Sequence, residues 1–97
     1  MWCSFTAFTA HTAGQSLGLV ICQARGVESA LVSEDEIEAG FRFLYGRAKL
    51  ACEPAGALGV AALLAGKVPL NGVTAIAVVV SGGNVVPETA AAILAGR

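Results

Sequence analysis

The stretch Val32-Ser33-Glu34-Asp35-Glu36-Ile37 carries the clearest structural signal in this 97-residue sequence. Ser33 and Glu36 form a capping box, in which each side chain accepts a hydrogen bond from the other residue's backbone N–H. A helix should therefore begin at Glu34, where an acidic first turn meets the positive end of the helix dipole. The apolar positions that follow, spaced by three or four residues, predict an amphipathic helix of about four turns: Ile37, Phe41, Leu44 and Ala48.

The segments on either side of this helix extend the pattern. Val27 to Val32 is short and partly β-branched, which predicts a strand that ends at the helix cap. Pro54 favours the first turn of a second helix, apolar almost all round, that ends near Gly66. Gly56 and Gly59 reduce the stability of this helix, which indicates that another backbone approaches it closely.

The last third of the chain predicts one more strand and one more helix. Thr74 to Val80 is continuously apolar, which is typical of a parallel strand covered on both faces. The turn Ser81-Gly82-Gly83-Asn84 follows it, and Pro87 opens a final helix closed by Gly96. This order of strand, helix, helix, strand and helix predicts an α/β layer fold with parallel strands and right-handed crossovers.

The composition predicts a surface that associates with a partner. Hydrophobic residues make up 56% of the chain and charged residues 13%. A domain of this size buries only about 60% of the surface that its unfolded chain exposes, so apolar area remains at the surface. The same composition excludes disorder. A net charge of -1, with no basic run, argues against nucleic acid as a partner.

The cysteines and the histidine show no metal-ligand or disulfide spacing. Cys3, Cys22 and Cys52 lie far apart, and His11 has no acidic or thiol neighbour at ligand spacing. We therefore predict no metal site, and we interpret the cysteines as small hydrophobic residues in a reducing cytoplasm.

Two uncharged stretches could suggest a membrane segment, and the residues within them argue against it. Met1 to Ala24 contains eight polar side chains and lacks the basic start of a signal peptide. Val68 to Pro87 contains a proline and the turn after Val80, both of which would interrupt a spanning helix. We therefore predict no membrane association.

Two groups of polar residues could bind a ligand. In open α/β sheets, ligands lie beyond the carboxyl ends of the strands, which is where Ser81 to Asn84 is placed. Its glycines permit positive φ and a close approach to the backbone, although the same residues also suit a simple tight turn. Glu53 stands at the start of the second helix, where it could serve a ligand or only compensate the helix dipole.

Four blocks of this sequence resemble the C-terminal part of the threonine/serine dehydratase family. They occur in the family's order: Val32-Ser33-Glu34-Asp35-Glu36-Ile37, Arg47-Ala48-Lys49, Glu53-Pro54-Ala55-Gly56-Ala57 and Val79-Val80-Ser81-Gly82-Gly83-Asn84. The resemblance covers residues 21–97 and implies the C-terminal part of a pyridoxal-phosphate-binding large domain of the tryptophan synthase β-like fold (fold-type II). Residues 1–20 form an unmatched N-terminal segment.

The resemblance also implies site residues. Ser81 would hydrogen-bond the pyridine nitrogen of pyridoxal phosphate, Gly82 would adjoin it, and Glu53 would lie beside the cofactor pocket. The family's Schiff-base lysine and glycine-rich phosphate loop have no counterpart in this sequence. Lys49 and Lys67 are the only lysines, and both positions are typical of solvated or dipole-pairing side chains at helix ends. No residue is therefore assigned as catalytic.

We interpret the chain as the C-terminal segment of a threonine/serine dehydratase-like lyase, inactive alone, that is either truncated or encoded as a separate piece. Its partner would be a second copy or a complementing N-terminal segment. The alternative is a small non-catalytic α/β domain that self-associates or binds a partner protein. The resemblance leaves the substrate amino acid undetermined.

Overall fold

A computed structural model describes residues 5–9 and 17–96. Its two strands, β1 (Phe5–Thr9) and β2 (Glu28–Val32), pair in parallel, with Phe5 opposite Glu28 and Thr9 opposite Val32. Helix α1 (Leu17–Ala24) lies between them in the chain, as a parallel pair requires a crossover connection. The sequence predicted β2, but it did not indicate β1 or α1.

Helix α2 (Glu34–Phe43) begins as the capping box predicts. The Glu36 N–H donates to Ser33 Oγ at 3.2 Å, and the Ser33 N–H donates to Glu36 Oε2 at 2.9 Å. The helix continues as a π-helical turn (Leu44–Ala48), which holds more residues per turn than an α-helix. Because this widening changes the helical period, Ala48 is exposed, and the prediction that it shares one face with Ile37, Phe41 and Leu44, which are buried, is wrong.

The second predicted helix is a 3₁₀ turn (Pro54–Ala57) followed by α3 (Leu58–Leu64). It packs across α2 at Gly40, where a Cβ atom would lie only 2.9 Å from the Ala61 nitrogen. Helix α4 (Pro87–Leu94) begins with proline in its first turn and is followed by Gly96 at φ +75°, as the sequence predicts.

Two clusters of buried side chains form the core of the described residues. The larger lies among α2, the 3₁₀ turn, α3 and α4, and contains Phe41, Leu44, Cys52, Ala57, Val60 and Ile93. The smaller joins β2 to α2 and α3, and contains Val32, Ile37, Ala61 and Ala62. The core therefore lies on one side of the two-stranded sheet.

The segment 74–80 differs from its prediction as a strand covered on both faces. It pairs with neither β1 nor β2. Val78 and Val80 are half-buried against the larger core cluster, whereas Val79 is 86% exposed. A doubly covered strand needs neighbouring strands at its edges and a layer on each face, and the described residues supply only one layer. Ser81 therefore follows an unpaired segment and does not end a sheet strand.

The remaining predictions concern thiols, metals and membranes. Cys52 is buried and Cys22 half-buried, both as free thiols, while Cys3 and His11 lie outside the described residues. Residues 5–9 and 17–96 contain no group of three side chains suited to hold a metal ion. Among the helices in that part of the chain, none has the length and apolar character needed to cross a membrane.

Candidate functional site

The structure brings Glu53, Ser81 and Gly82 together. Glu53 precedes the 3₁₀ turn with extended backbone angles of φ −70° and ψ 157°. Its N–H donates a hydrogen bond to the Gly82 carbonyl oxygen, with 2.5 Å between nitrogen and oxygen. Its own carbonyl oxygen accepts from the Gly56 N–H at 2.9 Å. The Ser81–Gly82 turn is thus hydrogen-bonded to Glu53, the residue that precedes the 3₁₀ turn.

Gly56 makes the closest contact between these two segments. A Cβ atom at this position would overlap the Ser81 carbonyl oxygen and lie 3.1 Å from the Ser81 carbonyl carbon. At Gly59, one turn further on, a Cβ atom would come within 2.8 Å of a Val78 methyl group. The predicted close approach of a backbone to this helix is therefore confirmed, and the approaching segment is the one that ends at Ser81.

Gly82 fits its place for two separate reasons. Its φ of +75° lies in the left-handed region that side-chain-bearing residues avoid. A Cβ atom there would also overlap the Glu53 carboxylate. Gly83 does not share the positive φ, so only one of the two glycines uses the conformational freedom that the sequence offered.

The polar side chains of this cluster differ in their accessibility. Ser81 is exposed, so its hydroxyl is open to a ligand, while Glu53 is half-buried against Gly82. The Glu53 side chain makes no capping hydrogen bond to the 3₁₀ turn. The Glu53 side chain therefore packs against Gly82, and this contact is more specific than the general attraction of a carboxylate to the positive end of a helix dipole.

Cys52 belongs to the same cluster, which the sequence analysis missed. It is 2% exposed, and a Cβ atom at Gly56 would lie 3.3 Å from its own Cβ. Burial raises the pKa of the Cys52 thiol, and the negative charge of the neighbouring Glu53 raises it further. The one feature of the sequence that could have indicated that Cys52 belongs to this cluster is its position directly before Glu53.

The ammonium groups of the two lysines contact residues outside this cluster. Lys49 Nζ donates to the Gly46 carbonyl oxygen at 2.8 Å, which confirms its role at a helix end. Lys67 Nζ donates to the Leu31 carbonyl oxygen at 2.6 Å and lies 2.9 Å from Glu36 Oε2. Both ammonium groups are thus engaged in contacts within the fold.

This arrangement brings together the neutral hydroxyl of Ser81, the glycine backbone that follows it and the Glu53 carboxylate. A hydroxyl can donate to or accept from one ring nitrogen, and a glycine surface lets a flat ring lie close to the main chain. The cluster therefore suits contact with one edge of a planar heterocycle. It brings no amine that could form a covalent bond to such a ligand.

The chain is similar to curated threonine dehydratases over part of its length. A protein of Sinorhizobium fredii with the provisional name threonine dehydratase is 45% identical over 65 residues, which cover 67% of this chain and 19% of that protein. The catabolic L-threonine dehydratase TdcB of Staphylococcus aureus is 51% identical over 61 residues, covering 60% of this chain and 17% of that enzyme.

No protein-family model matches the chain, and no solved structure gives a significant match. The chain spans less than a fifth of the length of the curated relatives that it matches. The similarity therefore describes a segment of a threonine dehydratase-like protein.

Proposed function

We propose that this chain is the C-terminal segment of the large domain of a pyridoxal-phosphate-dependent threonine/serine dehydratase-like lyase of the tryptophan synthase β-like fold. The observation that carries the proposal is the contact between Glu53 and the Ser81–Gly82 turn. These residues belong to two sequence blocks, 53–57 and 79–84, that are distant in the chain. The partial similarity to threonine dehydratases supports the same assignment.

The residues present fit one edge of the cofactor. The exposed Ser81 hydroxyl would hold the pyridine nitrogen, Gly82 would adjoin it, and Glu53 would lie beside the pocket. Bound pyridoxal phosphate supplies an electron-withdrawing ring, which suits removal of the β-hydroxyl group of threonine or serine. A neutral hydroxyl does not favour a protonated ring nitrogen as a carboxylate would, which limits electron withdrawal to what β-elimination requires.

The lysine that binds the cofactor and the loop that binds its phosphate would come from a complementing N-terminal segment. The 97-residue chain alone should therefore show no dehydratase activity. Mixing it with pyridoxal phosphate and reducing with borohydride should leave no specific adduct, because Lys49 and Lys67 are held in contacts of the fold. Turnover of threonine that disappears on replacing either lysine would contradict this proposal.

Ser81→Ala tests the assignment of the ring-nitrogen contact. In the protein completed by its N-terminal segment, the change leaves a ring nitrogen unpaired, which costs about 1–3 kcal/mol of cofactor binding. The fold should survive, because Ser81 is exposed. Ser29→Ala, at an exposed serine on β2, is the matched control and should leave cofactor affinity unchanged. Unchanged affinity in Ser81→Ala, with a lowered melting temperature, would leave only a structural role for the turn.

A second candidate function, a non-catalytic domain that self-associates, is favoured by the exposed apolar residues. Val79 is 86% exposed and Ile76 53% exposed on the unpaired segment, and Leu31 is 53% exposed on β2. Apolar surface of this kind is typical of a contact between subunits.

Sedimentation across a range of concentrations tests this candidate. Self-association that Val79→Lys weakens, with the free energy of unfolding of the monomer nearly unchanged, would support it. A folded monomer at high concentration would exclude it.

A further inference from the structure

We propose that Gly56 is a positioning residue for the Ser81 hydroxyl. Because Gly56 has no side chain, the main chain of Ser81 can pack directly against it, and this contact sets the position of the hydroxyl. Gly56 is buried, and the atoms that a Cβ at this position would meet belong to the Ser81 carbonyl group and the Cys52 side chain. A main-chain carbonyl cannot rotate away as the end of a flexible side chain can. A methyl group at residue 56 must therefore displace the Ser81 peptide.

Two hydrogen bonds transmit that displacement to the whole turn. The Gly56 N–H donates to Glu53, and the Glu53 N–H donates to Gly82, the residue that follows Ser81. The Ser81–Gly82 turn therefore has two contacts: Gly56 packs against the Ser81 carbonyl group, and the Glu53 N–H donates to the Gly82 carbonyl oxygen. A shift of the Ser81 peptide away from Gly56 also changes the length and angle of the hydrogen bond from the Glu53 N–H to the Gly82 carbonyl oxygen.

This contact gives Gly56 an influence on a ligand that it does not touch. What the Ser81 hydroxyl binds, a pyridine nitrogen, rests on the function proposed above. The dependence of the hydroxyl position on Gly56 is a property of the chain itself. A hydrogen bond to a ring nitrogen weakens steeply with distance and angle, so a small displacement of Ser81 is enough to reduce affinity.

The first measurement uses the 97-residue chain alone. In ¹⁵N-edited NMR spectra, Gly56→Ala should shift the amide resonances of Ser81, Gly82 and Glu53 and speed hydrogen exchange of the Glu53 N–H, while circular dichroism retains its helical signal. Gly46→Ala is the matched control, because nothing lies within 4 Å of a Cβ at that exposed glycine and its φ is not positive. Wild-type resonances for these three residues in Gly56→Ala would overturn the proposal.

The second measurement uses the protein completed by its N-terminal segment, with pyridoxal 5′-phosphate as the probe. Gly56→Ala should weaken binding about tenfold, measured by cofactor fluorescence, and Gly46→Ala should not. Equal affinities of Gly56→Ala and wild type would overturn the positioning role. If the completed wild-type protein binds no pyridoxal phosphate, the proposed function fails, and the NMR shifts still decide the steric dependence.

A folding failure of Gly56→Ala would not leave the question open. Gly82→Ala then replaces it, because a Cβ at residue 82 meets the movable Glu53 side chain and strains a positive φ. The same shifts of Ser81 and Glu53 are expected. Their absence in Gly82→Ala would show that the turn does not depend on these glycines, and it would overturn the proposal.

Discussion

Arg42 Nε donates a hydrogen bond to the main-chain carbonyl oxygen of Ile93, with 2.7 Å between nitrogen and oxygen, and so ties α2 to the last turn of α4. Carbonyl groups at the end of a helix have no partner within the helix, and they lie at the negative end of its dipole. The Ile93 carbonyl oxygen accepts from the Gly96 N–H at 3.1 Å, and the Arg42 guanidinium adds a second donor and a positive charge at this helix end. Helix α4, which is next to the Ser81 turn in the chain, is therefore anchored to α2 by a polar contact as well as by apolar packing.

Replacing Arg42 with methionine should lower the free energy of unfolding by about 1 kcal/mol. Methionine keeps an unbranched apolar stem, so the loss reports mainly on the hydrogen bond to Ile93. Partial exposure of the Arg42 side chain keeps the loss at the lower end of the range for charged hydrogen bonds. Urea unfolding followed by circular dichroism measures it.

Glu38→Gln is the control for Arg42, because it removes the negative charge from the 3.3 Å pair within α2 and leaves the contact with Ile93 in place. A pair of this kind on a helix surface contributes about 0.3–0.5 kcal/mol. Equal losses in Arg42→Met and Glu38→Gln would mean that the contact with Ile93 contributes nothing to stability.

Gly40→Ala should lower the free energy of unfolding by about 1–3 kcal/mol, although alanine is the better helix former. The new methyl group would lie 2.9 Å from the Ala61 nitrogen and 3.1 Å from the Ala57 carbonyl oxygen. Both are main-chain atoms, so α2 and α3 would have to move apart. Thermal and urea unfolding of Gly40→Ala, compared with Gly46→Ala in open space, measure the effect. A gain in stability in both variants would show that the helices do not cross this closely.

The ion pair of Lys67 with Glu36 should make stability depend on acidity. The hydrogen bond from Lys67, followed by that from the Ser33 N–H, lowers the pKa of Glu36 from its usual 4.5. The folded chain therefore holds this carboxylate ionised at a pH where the unfolded chain begins to bind a proton. The stabilisation is present above pH 4.5 and is lost as the pH falls through the lowered pKa.

Urea unfolding at pH 7 and pH 3 measures this acid dependence, with Lys67→Met as the comparison. The substitution removes the first cause of the lowered pKa, so the variant should lose less stability than wild type over the same interval. Identical acid dependence in the two proteins would show that Lys67 does not act on Glu36 in solution.

The sequence predicted the helices that follow β2 because their signals are local, whereas it did not indicate α1. Ser33 and Glu36 lie within one turn, and the pair formed the capping box that begins α2. Pro54 and Pro87 likewise marked the starts of later helices. Such signals depend only on neighbours in the chain, so they do not need the rest of the fold.

The errors and omissions arose where a structure depends on distant partners. The apolar run 74–80 predicted a doubly covered strand, but the pairing of a strand depends on edges that its own sequence does not encode. β1 pairs in parallel with β2, with α1 between them in the chain, and its five residues are too few to give a clear periodic signal. The glycines of the 3₁₀ turn and α3 predicted that some backbone approaches, but only the structure identified it as that of Ser81.

The buried Cys52 thiol should make the chain less stable at alkaline pH. Burial, followed by the charge of Glu53, raises its pKa above the usual 9.0. Above pH 9 the unfolded chain ionises this thiol while the folded chain keeps it neutral. Its contribution to stability is therefore complete below pH 9 and is lost as the pH rises through the raised pKa.

Unfolding in urea at pH 7.5 and pH 10, under reducing conditions, measures this dependence as the difference between wild type and Cys52→Ala. That comparison cancels the titration of lysine and tyrosine, which both proteins share. Cys52→Ala should be less stable at pH 7.5, since a small cavity opens in the core, and it should lose less on going to pH 10. Glu53→Gln, which removes the second cause and keeps the burial, should lie between wild type and Cys52→Ala in its alkaline loss. An equal loss in all three proteins would mean that the thiol is already accessible to solvent in the folded chain, and that the packing of Cys52 against Gly56 is not maintained in solution.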